Sequence, residues 1–332
     1  MDGEGRRILV VGIDEAGYGP LLGPLVVSAV FFRAPAPCAA GDWWQTLRDA
    51  VAPRPKARDP RLVVTDSKEL SRRKDGLRLL ERAALTFLSL PDAQGAPRTF
   101  PPTFRGLLGQ LDRTALQATS EYPWYRDADF ALPAVNTGPD VFTRRAALHA
   151  ALCGAGFEFL GAHAEILLEG HFNRRIETVR NKSVLLLGQT IRLIHRASQS
   201  AGPEGMAVQI DKQGGRQAYA RPLMTAFADA GLEILEETDT TSAYRLTRGA
   251  ESWDIRFTQG GEKHHLAIAL ASVFSKYLRE LFMYAFNMFW GGRVAGVAPT
   301  AGYYTDGKRF LRQIEPELAR MALDRNLLVR SR

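Results

Sequence analysis

The run ILVVGIDEAGYGPLLGPLVVSAVFF, residues 8–32, decides the fold. Apolar residues 8–13 lead straight into two adjacent carboxylates, Asp14 and Glu15, then a Gly/Pro-rich break, then a second apolar run from 24 to 32. Two Val/Ile/Leu-rich runs divided by such a break read as two strands, 8–13 and 24–32. A strand with no polar alternation is buried on both faces, so acids at its tip stand at a sheet edge where a ligand can reach them. Neighbouring strand residues point to opposite faces. Asp14 and Glu15 therefore serve one site if the chain bends there, and AGYGP (16–20) supplies the bend.

Working outward, residues 34–61 are rich in Pro, Ala and Arg and read as an irregular excursion. Leu70, Leu77, Leu80, Ala84 and Leu88 recur at helical spacing within 63–90, with Asp66 or Ser67 as a cap. Residues 91–140, rich in Pro, Gly and aromatics, read as an insertion with little regular structure. A helix near 142–153, a strand near 157–168, a helix near 184–197 and a strand at 206–211 follow. Then come a helix near 217–230, strands near 232–247 and 252–258, a long apolar helix at 266–290 and a last helix near 307–323. Mixed β and α elements of this order predict an α/β protein built around one sheet.

Of the 332 residues 45% are hydrophobic and 24% charged, proportions of a soluble globular protein. The net charge of +7 favours polyanionic partners, nucleic acid first. Cys38 and Cys153 lie far apart without metal-ligand spacing, which argues against a disulfide framework or zinc site and fits a reducing cytoplasm. The acidic start MDGEGRRILVVG does not have the pattern of a signal peptide. Lys276, Arg279 and Glu280 interrupt the apolar helix, so no membrane span is expected.

A second strand, MAVQID, also ends in an acid, Asp211, and Glu262 stands just before the long apolar helix in FTQGGEKHHLAIALAS. Carboxylates converging without His or Cys suit hard cations, Mg²⁺ or Mn²⁺. Two such ions about 3.5–4 Å apart would support phosphodiester hydrolysis. Taken singly, each acid is more often a turn residue or a cap. No spacing rule joins 14, 211 and 262; Glu236 and Asp239 are rivals for the fourth position.

GIDEAGYGPLLGPLVVSAV (12–30) resembles the first motif of the type 2 ribonucleases H, ribonucleases HII and HIII. TDSKELS (65–71), IDKQGG (210–215), GGEKHHLAIALASVFSKYLREL (260–281) and AGYYTDGKRFL (301–311) are similar to that family's later segments, in the same order. The resemblance implies a ribonuclease H-like mixed sheet flanked by helices. It implies a single catalytic domain over 1–332, with insertions at about 34–61 and 91–160 and a C-terminal helical segment from about 307. It also implies a metal-dependent endoribonuclease acting on the RNA strand of RNA–DNA hybrids, and it leaves open a second substrate, ribonucleotides embedded in DNA. Carried over residue by residue, Asp14, Glu15, Asp211 and Glu262 would be the catalytic, metal-binding acids of a two-metal Mg²⁺ or Mn²⁺ site. Gly17, Tyr18 and Gly19 would form the loop whose backbone reads a 2′-hydroxyl. Lys68 would lie near substrate phosphate and Tyr303 near the ribose. Tyr18 stands where ribonuclease HII usually has arginine and HIII threonine. Glu262 follows the HIII habit, and the Gly-Pro after the first loop is closer to HII.

Rival readings are a non-catalytic nucleic-acid-binding relative, and another nuclease or strand-transfer enzyme of the same fold. GIDEAGYG lacks the spacing of a dinucleotide-binding turn. For Lys68 and Lys276, phosphate binding and plain surface charge weigh about equally. His264 and His265 read as helix-start residues, Asp66 as a cap, and Tyr122, Trp124 and Tyr125 as packing residues before base-stacking ones.

Overall fold

The computed structural model describes residues 6–92, 94–214 and 216–331; the first five residues of the acidic start and Gly215 of IDKQGG lie outside them. Strands β1 (Arg7–Ala16) and β2 (Leu25–Pro35) pair antiparallel, with Asp14 opposite Ser28. The 34–61 excursion holds a short helix α1 (Trp43–Thr46) and strand β3 (Val51–Ala52), which pairs parallel with β4 (Leu62–Val63). Helices α2 (Ser67–Ser71) and α3 (Gly76–Leu88) replace the single helix expected over 63–90.

The 91–140 stretch is more regular than its composition implied. It contains α4 (Phe104–Leu111), α5 (Arg113–Ala118), α6 (Pro123–Arg126) and α7 (Gly138–Phe142), and α8 (Arg145–Gly154) follows. Side-chain caps start several of these helices: Thr103 Oγ1 accepts from Gly106 N, Asp112 Oδ1 from Ala115 N, and Thr137 forms a capping box with Asp140. Tyr122, Trp124 and Tyr125 are fully buried, Trp124 stacking edge-on against Phe286 and Tyr125 against Phe282. An aromatic side chain buries roughly 150–250 Å². At about 25 cal/mol/Å², packing outweighs a solvent-facing stacking role by several kcal/mol.

Strand β5 (Glu158–Leu167), helices α9 (Glu169–Val179) and α10 (Lys182–Ser200) and strand β6 (Met206–Asp211) come next. Helix α11 (Ala220–Ala226) is shorter than expected, and the single strand expected at 232–247 is a hairpin, β7 (Gly231–Glu237) and β8 (Thr241–Arg248). Strand β9 (Glu251–Thr258) and helices α12 (Leu266–Gly291) and α13 (Tyr304–Arg320) complete the order.

Seven of these strands form one mixed sheet, β5-β2-β1-β6-β9-β8-β7, and β3 and β4 stand apart from it. Its middle three, β1, β6 and β9, are parallel, so their C-terminal ends share an edge. Val10, Val26 and Val30 pack toward α12 and α3, while Val11, Ile13 and Val27 pack toward α10 on the opposite face. Cover on both sides explains the unbroken apolar runs. This is the α/β class, a mixed sheet flanked by helices, that the sequence predicts. Among the described residues no helix is long and apolar enough to cross a membrane.

Gly12 sets how closely α12 lies on β1. A Cβ there would fall 2.2 Å from the backbone carbon of Ala267, so the crossing needs glycine. That crossing carries the start of α12, and the turn before it, up to the end of β1 and β6.

Candidate active site

Asp14 and Asp211 end neighbouring parallel strands, and Glu262 sits in the one-turn 3-10 helix Gly261–Lys263 just before α12. Backbone amides hold the Asp14 and Asp211 carboxyls. Asp14 Oδ1 accepts from Glu15 N at 2.7 Å, and the Ser275 hydroxyl donates to the Asp14 carbonyl at 2.9 Å. Ser272 hydrogen-bonds the Asp14 carboxyl and lies 2.8 Å, oxygen to oxygen, from Ser67 of α2. Asp211 Oδ1 accepts from Gly261 N at 2.8 Å. Asp14 and Glu262 are buried, Glu15 and Asp211 half-buried.

The charges of these four side chains act on one another. Burial, then the Glu15 and Glu262 charges, holds the Asp14 carboxyl well above its ordinary range. Burial and Asp211 push Glu15 up to about 7, with Lys68 working the other way. Burial, Asp14 and Glu262 push Asp211 up to about 8, and the Asp211 carboxyl shares a hydrogen bond with Glu262. Burial pulls the Lys68 ammonium down, but Asp14, Asp66, Glu262 and Asp211 together outweigh it and hold Lys68 above its ordinary value. The structure thus brings Asp14, Glu15, Asp211, Glu262 and Lys68 together.

The donor set fits a hard divalent cation: every candidate ligand atom is a carboxylate oxygen, and Glu262 Oε2 is buried with no hydrogen-bond partner. Among the described residues no group of three or more His, Cys, Asp or Glu side chains already encloses a position for an ion. Like charges this close repel in a metal-free protein.

Beside the acids lies the loop Gly17–Pro24. Gly17 has φ +87°, and a Cβ there would fall 2.4 Å from the Pro24 carbonyl oxygen, so this position requires glycine. Gly19 differs: its φ is not positive and a Cβ would meet nothing within 4 Å. Tyr18 is half-buried. Leu21 N and Leu22 N donate to the Gly302 carbonyl at 2.8 and 3.1 Å, which ties the AGYYTDGKRFL segment to the loop. Tyr303 is 53% exposed, with the Arg279 guanidinium 5.7 Å from its ring centre.

Sequence reasoning missed what holds this loop from below. Arg330 is buried and donates to the carbonyls of Gly17, Tyr18 and Gly23. Arg279, first read only as an interruption of an apolar helix, donates to Leu22 and Ala301. Glu169 Oε1 accepts from Gly23 N at 3.1 Å and from the Tyr125 hydroxyl at 3.0 Å. Burial lifts Glu169 to about 7; burial and the charge of Arg279 lower Arg330 to about 9. Three charged residues inside an apolar helix, Lys276, Arg279 and Glu280, were the available signal for Arg279; nothing local marks Arg330.

The remaining candidates have structural partners. Asp66 Oδ1 caps α2 through Lys68 N. His265 caps α12, its Nδ1 accepting from Ala267 N and its Nε2 donating to the Ala39 carbonyl. Lys276 pairs with Glu280. Glu236 pairs with Arg256, and Asp239 accepts from Gln217.

The raised carboxyl pKa values give a pH signature. An acid whose folded pKa is raised keeps its proton in the folded state after the unfolded chain has lost it, so its contribution to stability falls as pH rises toward the folded value. His163, lowered to about 4 by burial, and the lowered His265 act oppositely, but only below their ordinary pKa near 6.5. Between pH 6.5 and 8 the acids dominate. In EDTA the melting temperature should fall across that window, and Mn²⁺ should restore more stability at pH 8 than at pH 6.5. A melting curve in EDTA that is flat or rises would contradict a shared acid site.

No family model matches the chain, and no curated protein matches it. Solved structures do. Ribonuclease HII in its complex with PCNA from Archaeoglobus fulgidus is 13% identical, with a TM-score of 0.40, over 98% of this chain and 94% of that one. Ribonuclease H2 from Pyrococcus horikoshii OT3 is 12% identical, with a TM-score of 0.41, over 96% and 92%. Bst-RNase HIII in complex with Mn²⁺ is 12% identical, with a TM-score of 0.40, over 97% and 66%. At that distance the chemistry must be argued from this chain's own residues.

Proposed function

We propose that this protein is a metal-dependent endonuclease that hydrolyses the RNA strand of RNA–DNA hybrids. One observation carries the reading: Asp14, Glu15, Asp211 and Glu262, drawn from three separate segments, act electrostatically on one another at the shared edge of parallel strands. Asp14, Glu15, Asp211 and Glu262 would hold Mg²⁺ or Mn²⁺. When bound, such ions activate water and neutralise charge on the leaving oxygen.

The chain's own groups do the rest. Ser272 and the Glu15 amide fix the Asp14 carboxyl, and Gly261 N fixes Asp211, so these two oxygens are aimed before any ligand arrives. Lys68 places a cation beside the acids, where a substrate phosphate would approach. The Gly17–Gly19 backbone, shaped by the positive φ of Gly17 and pinned by Arg330, would meet the sugar, and the 2′-hydroxyl is the group that separates RNA from DNA. Tyr303, exposed beside the loop, would lie against the ribose. The same reading makes 1–332 one catalytic domain, with 34–61 and 91–160 as additions to it. The two free cysteines suit a cytoplasmic location.

The test is a cleavage panel in Mg²⁺ and in Mn²⁺: hybrid, duplex DNA, duplex DNA with one ribonucleotide, and branched DNA. The reading expects cutting of the hybrid's RNA strand and none of plain duplex DNA; preference for branched DNA would overturn it.

Gly19 gives a sharper test, because a Cβ there meets nothing in the free protein. Gly19→Ala should leave the melting temperature within about 1 °C of wild type, since it adds neither strain nor contact. If the loop backbone touches the sugar, cleavage per folded molecule should fall about tenfold or more, most at a single embedded ribonucleotide. An unchanged rate would remove Gly19 from the substrate path.

A further inference from the structure

A groove of about 910 Å³ runs along the β5 edge of the sheet, between β5, the α4–α5 junction and helices α9 and α10. Five arginines line it, Arg113, Arg174, Arg175, Arg192 and Arg196, against two carboxylates, Asp112 and Glu165. Both carboxylates are engaged. Asp112 accepts from Ala115 N and Ile166 N at 2.9 and 2.8 Å, which pins α5 to β5, and Glu165 accepts from Arg192 at 2.7 Å. Arg174 pairs with Glu121 at 3.0 Å. The guanidiniums of Arg113, Arg175 and Arg196 are exposed and form no hydrogen bond or ion pair among the described residues. The groove therefore carries surplus positive charge that the fold does not use.

Its chemistry matches a phosphate backbone. A guanidinium fork matches phosphate oxygens geometrically. Arg192 and Arg196 are one helical turn apart on α10, so they present a row rather than a point. One end of the groove lies at the same edge of the sheet as the acid cluster. Strand β5 ends opposite the start of β2, with Leu167 across from Leu25, just past the Gly17–Pro24 loop. Tyr18, Arg180 and Lys182 line a smaller hollow of about 280 Å³ next to that loop.

We propose that the 91–160 stretch, by setting Arg113 across from α9 and α10, builds a second binding surface for the phosphate backbone of a nucleic acid engaged at the acid cluster. The surface is a binding element and takes no part in cleavage, so its test stands apart from the catalytic reading.

The experiment compares wild type with the triple variants R113Q/R175Q/R196Q and R113K/R175K/R196K. Binding of a fluorescent 24-base-pair RNA–DNA hybrid is followed in EDTA from about 50 to 200 mM salt, the range over which phosphate contacts show themselves. Loss of three phosphate contacts should make the slope of log affinity against log salt shallower by roughly two to three and loosen binding about tenfold or more. The lysine triple, which keeps the charge, should stay close to wild type, and polyglutamate should not compete. Melting temperatures of both triples should lie close to wild type, since none of the three side chains has a hydrogen bond or ion pair to lose among the described residues. A glutamine triple with an unchanged slope would overturn the proposal, as would equal competition by polyglutamate, which would make the groove a site for acidic protein. Because no metal is present, a protein that cleaves nothing would still report on the groove.

Discussion

Asp14→Asn should abolish hydrolysis while leaving the fold and hybrid binding intact. The amide keeps the shape of the side chain and can still accept the hydrogen bond from Glu15 N through Oδ1. What it loses is the negative charge that a bound cation needs. A loss of about a thousandfold or more corresponds to roughly 4 kcal/mol of transition-state stabilisation, in keeping with removal of a charged ligand rather than of a packing contact. Stability should move the other way. Burial and the charges of Glu15 and Glu262 both work against an ionised Asp14, so the metal-free variant at pH 8 should melt at or above the wild-type temperature. Opposite movement of rate and stability separates a metal ligand from a structural acid. A variant that keeps a tenth of the wild-type rate would end the assignment of Asp14.

Arg330→Met should cost both stability and rate. Its guanidinium is the shared donor to the Gly17, Tyr18 and Gly23 carbonyls, and hydrogen bonds from a charged group contribute about 1.5–3 kcal/mol each. Part of that is offset because a buried arginine is itself desolvated and Arg330 Nε has no partner. A net loss of about 2–4 kcal/mol, several degrees in melting temperature, is expected. The rate should fall about a hundredfold even well below the melting transition, because a loop displaced by 1 Å can cost that much. Arg330→Lys should rescue little, since a single ammonium cannot reproduce the fork that spans three carbonyls. Wild-type kinetics in a folded Arg330→Met protein would show that the loop holds its shape without this support.

The strand ending in Asp14 and Glu15, the strand ending in Asp211 and the long helix after Glu262 were legible because each is a long, strongly patterned run. Their convergence was not legible in the residues themselves. It depends on Gly12 letting α12 lie against β1 and on Gly261 N reaching Asp211, contacts between segments some 50 to 250 positions apart. The order of the family-like segments pointed to it, and the structure brings them into contact: Ser67 meets Ser272, Ser275 meets Asp14, and Leu21 meets Gly302. The helices of 104–142 were missed because Pro and Gly frequency outweighed local caps at Thr103, Asp112 and Thr137 in the reading. Glycine chemistry in the first loop was half legible: Gly17 needs its positive φ, whereas Gly19 does not, a difference that the repeat of Gly in GYG conceals. Arg330 lies 313 positions from the Gly17 carbonyl that it holds, beyond any local pattern.

Crystals soaked in Mn²⁺ and measured at the manganese absorption edge test the central claim most directly. Anomalous density should appear among Asp14, Glu15, Asp211 and Glu262, and it should be lost from Asp14→Asn crystals treated in the same way. Manganese bound elsewhere with none among these four carboxylates, in crystals at pH 8, would contradict the account.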